Sequence, residues 1–278
     1  EVMGGFIVGF DSDGEEIFEQ QKTFIQNNAI PQAMVGLLTA LPGTRLFQRL
    51  QGENRLRSQA SGNNTHVFQT NFQPRMGDAK LTSGYRRLLS DLYGNNLRNY
   101  FQRCNHLLDN LGQRELGDRV PSWQEGMILL RSLLRQPFTP YGWQYLKFLA
   151  RNLTRHADRF SQAVKYSIVG HHFHRITREL LKCEKAAAVL DRIYDRLRDQ
   201  LPAGDKRSAT SPPVADALVV SAWQWSQTAL ADARRRIESL HEDFRDDLLQ
   251  QYAIVAEKVW NLFRPFAGEL CRHNAGRH

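Results

Sequence analysis

The chain has 278 residues, with 37 Lys and Arg against 29 Asp and Glu, a formal charge of +8 and 41% hydrophobic residues. This is the balance of a soluble globular protein with room for one large domain or two smaller ones. No apolar run approaches the ~18–20 residues of a membrane span and no secretory pattern is visible. Cys104, Cys183 and Cys271 stand too far apart for a disulfide framework or a local CxxC or CxxxC metal motif.

Residues Val2–Phe10 form a short continuous apolar run ending in glycine and phenylalanine, which suits a parallel strand covered on both faces. Asp11 and Asp13 are candidate caps for the helix that follows, and Glu15 and Glu16 fall in its first turn. Ile17, Phe18, Gln21, Phe24 and Ile25 keep helical spacing up to Asn27–Asn28. Ala33–Thr39 is a second apolar run, closed by Leu41-Pro42-Gly43. Strand, helix and strand make one βαβ unit. Thr44 is placed to cap a short helix through Leu50 that stops near Gly52. One such unit cannot cover its own strands. Because Glu1 is not an initiator methionine, the missing neighbours are expected before it, in a longer polypeptide.

The stretch Ser58–Gly77 is rich in Asn, Gln and Ser and reads as a long loop or linker; after it nearly everything is helical. Asp78 is expected to cap Ala79–Tyr93, and Asn95–Leu111 forms the next helix. Ser122 with Glu125 reads as a capping box opening a helix through Leu134. Thr139-Pro140 reads as a cap and first-turn proline opening a helix over Tyr141–Leu153. Phe160, Val164, Ile168, Phe173, Ile176 and Leu180 hold the stripe of a helix that runs on to Leu201. Pro202–Pro213 has the composition of a linker. Beyond it, Leu230, Ala233, Ile237, Leu240, Phe244, Leu248, Tyr252, Val255 and Val259 make one amphipathic stripe. A single helix from Val214 to Phe263 would be on the order of 75 Å long. It would hairpin onto its neighbours or pair with another chain.

The first candidate site is the strand-end pattern Gly5-Phe6-Ile7-Val8-Gly9-Phe10-Asp11, with Leu38 and Thr39 at the end of the second strand on the same side. Open α/β sheets and barrels bind ligands at the carboxyl ends of their strands, although a tight βα turn alone also asks for glycine.

The segments EVMGGFIVGFDSD and AMVGLLTALPGTRLFQRL resemble the last part of the radical-SAM barrel in proteins that carry an N-terminal cobalamin-binding domain. SGNNT, GYRRLL at Gly84–Leu89 and SIVGHHFHRITREL at Ser167–Leu180 resemble the helical C-terminal domain, of unknown function, attached to those cores. Hopanoid C-2 methyltransferases belong to this group. The resemblance implies S-adenosylmethionine, a four-iron–four-sulfur cluster and cobalamin as cofactors, and methylation of an unactivated carbon in a small, hydrophobic or lipid-like substrate. Gly5, Ile7 and Gly9 match the family's GxIxG strand, which implies that they, with Phe10 and Asp11, lie against the adenine of S-adenosylmethionine. Leu38 and Thr39 are implied to add contacts to that adenine, and either Asp11 or Asp13 is implied to be the acid that follows the strand.

The cluster-binding CxxxCxxC loop and the cobalamin domain are absent from this chain, so its partners are expected to be the rest of the barrel and that domain. Alone it is expected to bind no cluster and to be inactive. The fold class expected is mainly α with a short α/β start. One βαβ unit over 1–57 completes a partial radical-SAM (β/α) barrel. A helical accessory domain follows over 58–201, then a linker over 202–213 and a long C-terminal amphipathic helix within 214–278. The alternative is a non-catalytic helical interaction module from a split or truncated gene.

Two further patterns have bland and sharp readings. His171 and His174 share a helix face and could hold a metal, but no third ligand is near, so no metal site is expected. The aromatic and basic mix in Pro137–Arg155, with Trp143, Tyr145 and Phe148 beside Lys147, Arg151 and Arg155, is either an ordinary helix or a lipid-docking one. No nucleic-acid-binding module accompanies the charge. The expected location is therefore the cytoplasm, with the membrane surface as the alternative that a lipid substrate would favour.

Overall fold

Strands β1 (Met3–Val8) and β2 (Gln32–Leu37) pair in parallel, Met3 opposite Gln32 and Val8 opposite Leu37, with helix α1 (Ile17–Asn27) between them in sequence. The computed structural model describes residues 3–57, 70–94, 96–111, 123–201 and 212–267. Two compact units divide the chain, residues 1–178 and residues 179–278. As expected, a short α/β start gives way to helices.

In the first unit, one face of the sheet is covered and the other is open. Val8 and Ala33 are buried on the covered face, where Phe6 meets Phe24 of α1 edge to face at 6.1 Å. Helix α3 (Asp78–Tyr93) packs beside α1 because Gly84 has no side chain: a Cβ there would lie 2.1 Å from the Phe18 ring. Thr44 caps helix α2 (Arg45–Gly52), its hydroxyl accepting from Phe47 N–H at 3.2 Å. Leu50 of α2 is buried with Ala40 and Phe72. Residues 58–69 of the expected loop at 58–77 lie outside the described residues; Leu56 before them and Phe72 after them form an antiparallel bridge.

Several helix starts differ from expectation. Asp78 is not the cap of α3. Gly77 takes that place at φ +87°, and the Asp78 carboxylate instead receives both terminal nitrogens of Arg57, at 2.9 and 2.6 Å. Helix α4 (Arg98–Asn110) begins three residues later than Asn95, because Leu97, buried and held at φ +55°, forms the bend before it. Pro140 precedes helix α6 (Gly142–Arg155) rather than opening it, since Gly142 N–H donates to Thr139 O at 2.9 Å and closes a turn around buried Tyr141. Helix α5 is Trp123–Arg135. The proposed capping box begins at Ser122, outside the described residues, as do residues 202–211 of the expected linker.

Helix α7 (Phe160–Gln200) has the expected extent. Its first part belongs to the first unit, where Gly170 admits the Tyr100 ring; a Cβ would be 2.4 Å from it. The centre of this unit is Arg103 of α4, fully buried between the rings of Tyr93 and Tyr100 at 4.8 and 4.9 Å. Its Nε donates to Ile30 O at 2.9 Å and its Nη1 to Leu92 O at 3.1 Å. The Tyr93 hydroxyl accepts from Ala33 N–H at 2.8 Å, and the Tyr100 hydroxyl donates to Tyr166 O at 2.6 Å.

The second unit holds the remainder of α7 with helices α8 (Pro212–Glu238) and α9 (Glu242–Phe263). The single long helix expected over 214–263 is therefore corrected to a pair that breaks at Ser239–His241. Trp223, near the middle of α8, meets Trp260 and Phe263, late in α9, at 5.6 and 5.1 Å, so across the short break the two fold back on each other as an antiparallel pair. The reason is burial. A straight helix would leave Val219, Leu230, Ile237, Val255 and Val259 in water, whereas each is at most 8% exposed in the hairpin.

Candidate functional site at the strand ends

The register places Gly5 beside Met34 and Ile7 beside Gly36 on the open face of the sheet. Met3, Ile7 and Met34 are exposed there. A Cβ added at Gly5 or Gly36 would meet no atom within 4 Å. The two glycines are diagonal neighbours, so this face is a low apolar surface with two side chains missing from its middle. A flat ligand ring can approach the backbone at such a place.

At the carboxyl end of β1 the chain turns at Gly9, whose φ of +104° is one that other residues adopt only under strain. The turn is closed by Asp13, whose Oδ2 accepts from Gly9 N–H at 2.8 Å and from Phe10 N–H at 2.9 Å. Phe10 points into solvent. Asp11 is enclosed by arginines. Arg55 binds it with both terminal nitrogens at 3.0 and 2.6 Å, Arg49 at 2.9 Å, and Arg75 lies 3.8 Å away. The hydrogen bonds from Arg55 hold the Asp11 carboxyl below its ordinary range despite partial burial, with Arg49 and Arg75 adding to the effect. Both acids after β1 thus fix the turn by contacts within the chain.

Past β2, Leu38 N–H donates to Val8 O at 2.8 Å, and the Leu38 side chain packs on the Ala40–Leu50–Phe72 cluster. Thr39 is half-buried, its hydroxyl 3.5 Å from Leu37 O. Asn71 clamps the next residue: Oδ1 accepts from Ala40 N–H at 2.9 Å and Nδ2 donates to Ala40 O at 2.8 Å. The structure thus places Gly5 and Ile7 on the open face, and Gly9, Phe10, Asp11, Leu38 and Thr39 along the edge where the strands end. Sequence reasoning missed Gly36, Asn71 and the three arginines. Period-two pairing of the two apolar runs would have exposed Gly36; nothing local signals the others.

The histidines lie elsewhere. His174 is buried and its Nδ1–H donates to Tyr93 O at 2.9 Å, while His171 Nδ1 and the Tyr141 hydroxyl are 2.6 Å apart. Among the described residues no group of three or more His, Cys, Asp or Glu is arranged to hold a metal ion. Burial pushes the Cys104 thiol up to about 12 and Cys183 up to about 11, so both stay protonated near neutral pH. In the 137–155 stretch, Tyr145 and Phe148 belong to the core, Trp143 is exposed and Arg151 pairs with Asp109 at 2.6 Å. No described helix is long and apolar enough to cross a membrane.

Residues 44–187 match the family described as a domain of unknown function, DUF4070. The chain is also similar to three methyltransferases. It is 46% identical over 56 residues to the hopanoid C-2 methylase of Rhodopseudomonas palustris, 20% of this chain and 11% of that protein. It is 35% identical over 91 residues to an uncharacterized methyltransferase of Synechocystis, 33% of this chain and 17% of that one. It is 31% identical over 93 residues to the bacteriochlorophyllide d C-12(1)-methyltransferase of Chlorobaculum tepidum, 33% and 20%. The matched segments therefore span only about a tenth to a fifth of these relatives. No solved structure matches the chain.

Proposed function

The chain belongs to the DUF4070 family, and from that premise we propose that it is the C-terminal portion of a methyltransferase of the radical-SAM, cobalamin-dependent class. Its βαβ unit completes the barrel, and the open sheet face takes the adenine of S-adenosylmethionine. The observation that carries this reading is the pair Gly5 and Gly36, where the surface is cleared to the backbone. Ile7 and Met34 flank the cleared patch and exclude water from a bound ring, and Asp13 holds the Gly9 turn at its edge. When bound, S-adenosylmethionine and the cluster supply the radical and cobalamin the methyl group. Among the described residues, the open sheet face fits the first of these groups. The ligands of the cluster and the cobalamin site belong to other parts of the protein, so the 278-residue piece alone turns nothing over.

Relatives named for a hopanoid and a bacteriochlorophyllide carbon support a carbon centre of a hydrophobic, lipid-like substrate. The workplace that follows is the cytoplasm at the membrane surface.

The test uses Gly5→Val and Gly36→Val in the complete protein, with S-adenosylmethionine binding followed by calorimetry. Valine suits a strand and its Cβ meets no atom of this chain at either position, and a wild-type circular dichroism spectrum checks that folding is retained. Affinity falls at least about tenfold, as expected where a side chain displaces a stacked ring. Unchanged affinity in both variants overturns the assignment of this face. Anaerobic reconstitution of the 278-residue chain tests the rest; retention of about four irons per chain would show that it carries its own cluster ligands.

A further inference from the structure

Helix α5 is turned the wrong way round for a helix on a water-facing surface. Its buried side carries Ser132, whose hydroxyl lies 2.9 Å from the Tyr145 hydroxyl, and Gln136 follows it into the interior. Its outward side carries Trp123, Leu130 and Leu134, spaced i, i+7 and i+11 along one stripe, at 81, 48 and 63% exposure. The exposed apolar surface continues beyond the helix. Phe138 is 88% exposed in the short turn after α5, and Trp143 is 67% exposed at the start of α6. Large aromatic side chains held this far into water contribute nothing to the core of their own unit.

Beyond Glu125 the charge along this stretch is of one sign. From Gly126 to Ala157 there is no Asp or Glu, against Arg131, Arg135, Lys147, Arg151 and Arg155. Arg151 is taken up by Asp109. Arg131 and Arg135 lie roughly 80–120° round the helix from Trp123, at the edge of the apolar stripe. Lys147 sits over the Trp143 ring at 5.0 Å. Lys147 also lines a groove of about 510 Å³ between α4 and α6, together with Arg98, Gln102 and Gln144.

We propose that the outward face of α5, the Phe138 turn and the start of α6 docks the protein on an anionic lipid surface, apolar side chains in the headgroup boundary and cations against the phosphates. An apolar stripe with aromatic residues and a basic rim is the pattern of a helix lying in a bilayer interface, sunk ~5–10 Å. Complementarity to a negative surface decides for lipid over a second copy, because like-charged rims would face each other across a dimer. This deepens the membrane-surface location given above, yet its test is independent of methyl transfer.

The experiment is co-sedimentation of the complete protein with vesicles of phosphatidylcholine alone and of phosphatidylcholine with 30% phosphatidylglycerol. Binding is expected to the anionic vesicles and at least about tenfold weaker to the neutral ones. The variant Leu130→Ser/Leu134→Ser/Phe138→Ser loses binding, and Arg131→Glu/Arg135→Glu loses about tenfold or more. Both keep the wild-type circular dichroism spectrum and melting temperature, because every altered side chain is exposed. The proposal fails if the wild type stays in the supernatant with anionic vesicles, or if the serine variant pellets like the wild type. It fails equally if the wild type is a dimer that the serine variant splits without any vesicle binding, since a second copy then covers the face.

Discussion

Replacing Arg103 with methionine should lower the melting temperature of the first unit by roughly 6–12 °C. The side chain is fully buried and has no carboxylate partner among the described residues; it joins the segment before β2 through Ile30 O, the end of α3 through Leu92 O, and two tyrosine rings. Methionine fills much of the space but leaves two buried carbonyls without these donors, at about 1–3 kcal/mol each. It also exchanges two cation–π contacts of about 0.5–2 kcal/mol for weaker sulfur–aromatic ones. Removing the charge recovers part of this, because Nη2 is buried with no hydrogen-bond partner among the described residues and desolvation of the guanidinium is relieved. The net is about 3 kcal/mol, at about 2–4 °C per kcal/mol for a unit of this size. Arg103→Lys makes the sharper comparison. An ammonium keeps the charge but cannot reproduce the planar fork that reaches both carbonyls, so lysine should be no more stable than methionine. Differential scanning calorimetry of both variants checks this. A methionine variant melting within about 2 °C of the wild type, or a lysine variant melting like it, would refute the reasoning.

Two predictions concern pH. Hydrogen bonds from Arg55, with Arg49 and Arg75 nearby, depress the folded pKa of Asp11, so the unfolded chain takes up a proton first as pH falls below about 4. The Asp11 contribution is thus present at neutral pH and lost in acid: Asp11→Asn should cost about 1–3 kcal/mol at pH 7 in urea unfolding and much less near pH 2, and an equal cost at both pH values would count against the arginine cage. Burial, opposed by the Tyr93 carbonyl, lowers the folded pKa of His174, and burial also lowers that of His171. The unfolded state protonates at about 6.5 while these rings stay neutral, so stability should fall from pH 7 towards pH 5. His174→Asn keeps a donor for Tyr93 O and should flatten that slope; an unchanged slope would assign it to other groups.

What could be read from the sequence was whatever neighbours in the chain decide. The apolar runs bounded by Gly9 and by Leu41-Pro42-Gly43, the Thr44 cap and the stripe of α7 all rest on local spacing, and all stand in the structure. Asp78 was misleading because its carboxylate is claimed by Arg57, which no local rule foresees. The α8–α9 break was hidden because Ile237, Leu240 and Phe244 keep helical spacing straight through it, with no Gly or Pro to mark the turn. At the candidate site Gly5 and Ile7 could be read from their strand alone. Gly36 needed the register with β1, and the engagement of Asp11 needed three arginines from different loops and helices. In α6 the helical spacing was right, but which aromatics face inward depended on the neighbouring helices, so Tyr145 and Phe148 pack inside and Trp143 does not.

The open sheet face and the α5–α6 surface of the first unit ask for different partners. The sheet face is made of Met3, Ile7 and Met34 around two glycines, and a strand pair open on that side is suited to a flat ligand or to further strands. The α5–α6 surface is aromatic and edged by cations, and an anionic interface satisfies both features at once. The core fixes their relative orientation. Tyr93 ties β2 to α3, and Arg103 joins that contact to α4. Helix α4 holds α6 through the stacked rings of Phe101 and Phe148 at 4.7 Å and through Asn152 Nδ2 donating to Asn105 Oδ1 at 2.8 Å. Ser132 and Tyr145 then set α5 against α6. A protein anchored by the outward face of α5 would therefore present its strand ends at one fixed angle to the bilayer. Loosening Arg103 should disturb that angle before it disturbs either surface, because the hub touches neither.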